Sequence, residues 1–175
     1  MDKVTSIGCA LFLSFLGYGQ EIEKGILWSA EKRLSWTDFK GKVPPAAVPA
    51  ATTASGISYT YTANLIHHEV ELDFEVNAYF YPNESWYQPK VCDDITLSHE
   101  QLHFDISELF ARKMRNRLER TSFSDNVKAE IREIYQEILA ELQEYQDLYD
   151  WETDFSRNRG KQLEWNQKIG SLLEN

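Results

Sequence analysis

Two histidines four residues apart, with a glutamate beside the first, stand in the stretch LSHEQLHFDISELFARKM from Leu97 to Met114: His99, Glu100 and His103. On a helix turning about 100° per residue, side chains four apart fall within about 40° of each other, so both imidazoles project from one side and can share one metal ion. Glu100, about 100° further round, reaches a water on that metal rather than the metal itself, which is the division of labour of a metal-dependent hydrolase. The competing reading is two ordinary, partly buried histidines with satisfied hydrogen bonds, because so short a pattern also arises by chance.

A catalytic zinc takes three protein ligands and keeps one position for water. A short connection between the histidine helix and the next one forces the two antiparallel, which sets His103 level with Glu141 and His99 level with Tyr145. The exit segment Tyr149-Asp150-Trp151-Glu152-Thr153 then emerges beyond His99. The third ligand is expected from that segment, Glu152 first or else Asp150, with Glu141 and Glu144 as helix-borne alternatives. Tyr149, or Tyr145, is placed to donate to a developing oxyanion. The same YDWET segment also reads as a helix-end turn that packs Trp151 on the core.

The elements that must position these groups are legible from periodicity. Ile95, Leu102, Ile106 and Phe110 recur at helical spacing with the histidines, and Asp93, Asp94 and Thr96 can cap the start of that helix. Arg112, Lys113, Arg115 and Arg117 suit its negative end, and it runs to about Arg120. A second helix, capped by Ser124 or Asp125, carries Val127, Ile131, Ile134, Ile138, Leu142 and Tyr145 as its buried stripe to about Leu148. Its acidic stripe, Glu130 to Glu144, reads as a solvated face that pairs in part with the basic residues. A last amphipathic helix covers 156–175, with Leu163, Ile169, Leu172 and Leu173 as its packing face. Upstream, Gly56–Thr62 and Val70–Phe80 alternate apolar and polar residues and form a hairpin joined near Asn64 to His67. His67 and His68 are read as solvated turn residues. Lys40–Gly56, rich in Pro and Ala, is a loop that wraps a surface. The expected class is α+β: a small antiparallel sheet with a hairpin, then a helical part carrying a zincin-like HExxH helix.

The chain has 175 residues, 42% of them hydrophobic, enough for one good core. Its net charge of −10 argues against nucleic acid or an anionic membrane as partner. Residues 1–19 have the layout of a secretory signal: Lys3, an apolar run from Ile7 to Leu16, then Gly17 and Gly19 before Gln20. Residues 20–175 are then a single zincin-like domain, secreted or periplasmic, with no integral membrane span once the signal is removed. Cys92 alone remains, so no intramolecular disulfide forms in the mature chain.

With these residues in view, the chain resembles the bacterial family catalogued as domain of unknown function 922, whose members are described as secreted zinc-dependent proteases. The resemblance is carried by LSWTDFKG at Leu34–Gly41, Ser85-Trp86, Leu97–Met114 and Tyr149–Thr153. It implies that His99 and His103 bind Zn²⁺ and that Glu100 is the catalytic base. Members of that family continue the last motif as YD-x-ET-x-HG, where this chain has Phe155 and Ser156. If that histidine is a ligand elsewhere, Glu152 or Asp150 takes its place here, or this branch binds zinc weakly and cuts nothing. The reading is therefore a secreted zinc hydrolase of peptide or protein substrates. The alternative is a non-catalytic envelope protein that binds peptide or glycan through Tyr59, Tyr61, Tyr79, Tyr81, Trp86 and Tyr87.

Overall fold

The computed structural model describes residues 4–7, 25–66 and 69–174. The period-two segments pair as expected but extend further. β4 (Ser55–Ile66) and β5 (Glu69–Phe80) form an antiparallel hairpin in register from Ser55 opposite Phe80 to Ile66 opposite Glu69. β1 (Val4–Ile7) lies along the other side of β4, and β2 (Ile26–Leu27) along the other side of β5. Side chains two apart share a face of a strand, so Ile57 and Tyr61 of β4 and Val76, Ala78 and Phe80 of β5 are buried while Glu71, Asp73 and Glu75 are exposed. The residues at the hairpin tip, His67 and His68, lie outside the described residues. So does most of the segment read as an export signal.

The wrapping segment before the hairpin is not purely loop. β3 (Ala51–Thr52) pairs with β6 (Trp86–Tyr87) as a second, two-stranded sheet. The short motif pieces of the first half of the chain meet here. Trp36 stacks on Tyr87 with ring centroids 4.5 Å apart, and the Gly41 amide donates to the Ser85 carbonyl at 2.8 Å. A Cβ on Gly41 would lie 2.8 Å from the Asn83 and Ser85 carbonyl oxygens, so only glycine permits this approach.

Three helices complete the α+β fold: α1 (Asp94–Arg120), α2 (Val127–Thr153) and α3 (Arg159–Glu174). Asp93 caps α1, its Oδ1 accepting from the Ile95 and Thr96 amides at 3.1 and 2.9 Å. α1 is not the one-sided amphipathic helix its apolar spacing suggests. From Thr96 to Phe110 every side chain is buried or half-buried, polar ones included, because the sheet covers one side of the helix and α2 and α3 the other. The Phe80 and Phe104 rings, 5.9 Å apart, mark the sheet side.

α2 starts at Val127 behind Asn126, later than a cap at Ser124 or Asp125 would put it, and continues a full turn past Leu148. Asp150 and Glu152 therefore belong to α2 itself rather than to an exit segment. Trp151, one of the residues expected against the core, is 76% exposed. α3 also packs differently from its leucine pattern: Gln162, Trp165 and Ile169 are buried, while Leu163 and Leu172 face out. Leu163 and Ile169 are six positions apart, about 600° of helix rotation, and so cannot share a narrow stripe, whereas Gln162, Trp165 and Ile169 can. Among the described residues no helix is long and apolar enough to cross a membrane.

Candidate metal centre

His99 and His103 lie one turn apart on α1, and both rings turn toward the C-terminal part of α2. His99 Nε2 is 3.1 Å from Asp150 Oδ1, His103 Nε2 is 3.0 Å from the same oxygen, and the two Nε2 atoms are 3.3 Å apart. These three side chains form a group able to hold a metal ion among the described residues. A tetrahedral zinc with ligands at 2.0–2.1 Å has donor-to-donor edges of about 3.3–3.4 Å, so the group needs to open by only a few tenths of an ångström on its Asp150 side to make one triangular face of such a site. The second ring nitrogens are occupied: His99 Nδ1 by Gln162 Oε1 at 2.9 Å, and His103 Nδ1 by Gln146 Oε1 at 3.1 Å.

Of the carboxylates expected as third ligand, Glu152 points elsewhere and accepts from the Trp165 indole at 2.8 Å. Glu141 lies lower on α2, paired with Lys113 and Arg117. His103 is level with Gln146, not Glu141, because the helices sit about a turn further along each other than a tight connection would set them. Asp150, the other residue named from that segment, is the acid that reaches the histidines. Its side chain is 27% exposed, so the group opens on solvent at this edge.

Glu100 is buried, and its Oε2 has no hydrogen-bond partner among the described residues. A buried carboxylate oxygen without a donor costs on the order of 1–3 kcal/mol, so its place in the fold calls for a ligand to meet it. Tyr149 is fully buried. Its ring stacks on His99 at 4.5 Å and its hydroxyl lies within hydrogen-bond range of Gln162 and the His99 carbonyl, which fixes it beneath the histidine. Burial pushes the Tyr149 phenol far above its ordinary pKa, so it stays protonated.

The electrostatics are dominated by Asp150. Burial alone would raise its pKa, but hydrogen bonds from His103 and His99 hold it well below the usual carboxylate range. Burial alone would lower His103, and the hydrogen bond to Asp150 together with the charges of Glu100 and Asp150 outweighs it, leaving His103 above the ordinary imidazole value. Either a proton or a cation thus belongs between these rings and that oxygen.

Two groups of side chains here were not anticipated from the sequence. Gln146 and Gln162 look like ordinary polar positions on solvated helix faces. Asp105, buried on the opposite side of α1, accepts from Trp28 at 2.9 Å, Arg33 at 2.9 Å and Gln101 at 2.8 Å. Gln101 in turn accepts from the Leu34 amide at 2.6 Å. This network ties the LSWTDF segment to the back of the histidine helix. The one signal for it was an acid placed in the most apolar turn of α1. A cavity of about 780 Å³ at the far end of α1, lined by Phe110, Lys113, Arg117 and Tyr145, includes none of the metal-group residues.

The six aromatic residues that could have formed a binding surface on the strands are all buried or half-buried. Tyr59 packs on Tyr135 at 4.8 Å, and the Tyr135 hydroxyl donates to the Ile57 carbonyl at 3.0 Å. Phe155, where the resembled motif has histidine, is 58% exposed on the turn after α2, outside the group of three.

No curated protein and no solved structure matches the chain. Residues 90–157 match the family model described as bacterial protein of unknown function (DUF922), a segment that contains His99, Glu100, His103 and Asp150. The segment that holds the candidate metal centre is thus similar to the DUF922 family, over somewhat less than half of the chain.

Proposed function

We propose that this protein is an exported metal-dependent hydrolase, zinc being the ion that suits its donors, and that it cleaves amide bonds in peptides or proteins. In this reading α1 is an HExxH helix of zincin type. His99 Nε2, His103 Nε2 and Asp150 Oδ1 would hold the ion. The observation that carries the reading is their convergence at 3.0 to 3.3 Å beside a buried Glu100 whose Oε2 is unpartnered.

When bound, zinc supplies Lewis acidity, which polarises a carbonyl and makes water nucleophilic near neutral pH. The chain's own residues do the rest. Glu100 Oε2 takes the proton of the attacking water and returns it to the departing amine. Tyr149 is too deeply engaged to meet a substrate, so its part is to hold the His99 ring in place, not to bind the oxyanion. The metal-steadied binding module loses part of its support, since Tyr59, Tyr61 and Tyr87 of its aromatics pack against the core. A buried, unpaired carboxylate beside the histidines has no use in such a module.

The test is Glu100→Gln in protein prepared with zinc, assayed by mass spectrometry on a mixed peptide library. The variant is expected to retain stoichiometric metal and to lose at least about a hundredfold in cleavage rate. Undiminished cleavage, or wild-type protein that comes out metal-free, refutes the proposal.

A further inference from the structure

Each histidine of the candidate centre meets a neutral amide on its outer nitrogen, and the other partners of each amide favour one direction. Gln162 Nε2 lies 2.7 Å from the Tyr149 hydroxyl, whose own proton reaches the His99 carbonyl at 3.3 Å or Gln162 Oε1 at 3.0 Å, and 2.9 Å from Asn166 Oδ1. Asn166 is itself turned by donating Nδ2 to Ser98 Oγ at 2.9 Å. With the Gln162 amide protons spent there, the atom facing His99 Nδ1 is an acceptor, Oε1, at 2.9 Å. Gln146 repeats the logic: its Nε2 reaches the His103 carbonyl and Ser107 Oγ, each at 3.4 Å, and its Oε1 faces His103 Nδ1 at 3.1 Å.

A ring that donates from Nδ1 keeps its lone pair on Nε2. Both Nε2 atoms face Asp150 Oδ1, where a cation would replace the protons those hydrogen bonds need, so an acceptor at each Nδ1 leaves Nε2 free to ligate once those protons are displaced. Gln162 is buried and comes from α3, whereas Gln146 is half-buried and comes from α2. Three helices are therefore engaged in the state of two rings.

We propose that Gln146 and Gln162 are positioning residues that lock His103 and His99 in the Nε2-ligating tautomer, with α3 recruited to the centre through Gln162. The proposal rests on the metal site argued above. The outer partners of metal-bound histidines change metal affinity by about 10- to 100-fold when removed. Here they are amides, which leaves Asp150 as the one anionic group of the ligand set.

The experiment compares wild type with Gln146→Met, Gln162→Met and Gln146→Glu. Zinc affinity is measured by chelator competition, the Co²⁺ absorption spectrum reports ligand geometry, and melting of the zinc-free proteins reports folding. Methionine keeps the length and removes the acceptor, so each Met variant is expected to bind zinc about 10- to 100-fold more weakly, with an altered Co²⁺ spectrum. Glutamate at the half-buried position 146 restores an acceptor and is expected to bind at least as tightly as wild type. A purely structural role predicts that Glu and Met at 146 lose affinity alike, and that result overturns the proposal. So do Met variants that fold and bind zinc within about twofold of wild type. Should Gln162→Met fail to fold, the pair at position 146 decides the matter. Wild-type protein that takes up no zinc overturns the metal site itself, a failure distinct from a zinc-binding wild type with indifferent variants.

Discussion

Asp150 and Glu152 are two positions apart on α2, about 200° round the helix, so they cannot serve the same site. Asp150 faces His99 and His103, and Glu152 faces Trp165. The two acids therefore predict opposite phenotypes. Asp150→Ala removes the anionic donor and is expected to abolish stoichiometric zinc binding, as metal analysis after dialysis would reveal. Glu152→Ala leaves the buried indole N–H of Trp165 unpaired. It is expected to cost about 1–3 kcal/mol of stability in urea unfolding while zinc content stays at the wild-type level. The reverse pattern would put the ligand where the spacing of the sequence first suggested it.

At the scale of elements, the centre is built where α1 and α2 run side by side and α3 turns back over them. That return is made by Asp154, Phe155 and Ser156, all with positive φ, at 49°, 51° and 74°. L-residues pay about 1 kcal/mol each in this region, and glycine does not. The resembled motif carries glycine at the third of these positions. Ser156→Gly is accordingly expected to raise the stability of the protein by about 0.5–1 kcal/mol, read as a shift in the urea midpoint without a change in zinc affinity. A destabilised variant would mean that the turn is held by something other than backbone preference. Phe155 sits on the same turn beside Arg157, its ring 5.9 Å from the guanidinium, and its exposure explains how a histidine could be replaced there without disturbing the three donors.

For the whole molecule, the ligands and their supports come from all three helices, and the buried Asp105 network fastens the N-terminal segment to the opposite side of α1. An ion that binds only this assembled arrangement stabilises the entire fold by mass action. At a free concentration a hundredfold above its dissociation constant the gain is about 2.7 kcal/mol. Zinc-treated protein is thus expected to melt several degrees above chelator-treated protein, since about 1 kcal/mol moves the midpoint of a domain this size by about 2–4 °C. Identical melting curves would show that no ion is held at the centre.

The residue pattern alone determined the histidine helix and the period-two hairpin, because helical and strand periodicities are local properties of a chain. His99 and His103 share a helix face whatever surrounds them. Which acid completes the group was not local. It depended on how far α2 runs past Leu148 and how α1 and α2 are shifted along each other, and a shift of one turn exchanges Glu141 for Gln146 beside His103. The same holds for Gln146, Gln162 and Asp105, whose types suit a wet helix face and whose actual surroundings are set by packing between elements distant in sequence. Periodicity chose the faces; the third dimension chose the partners.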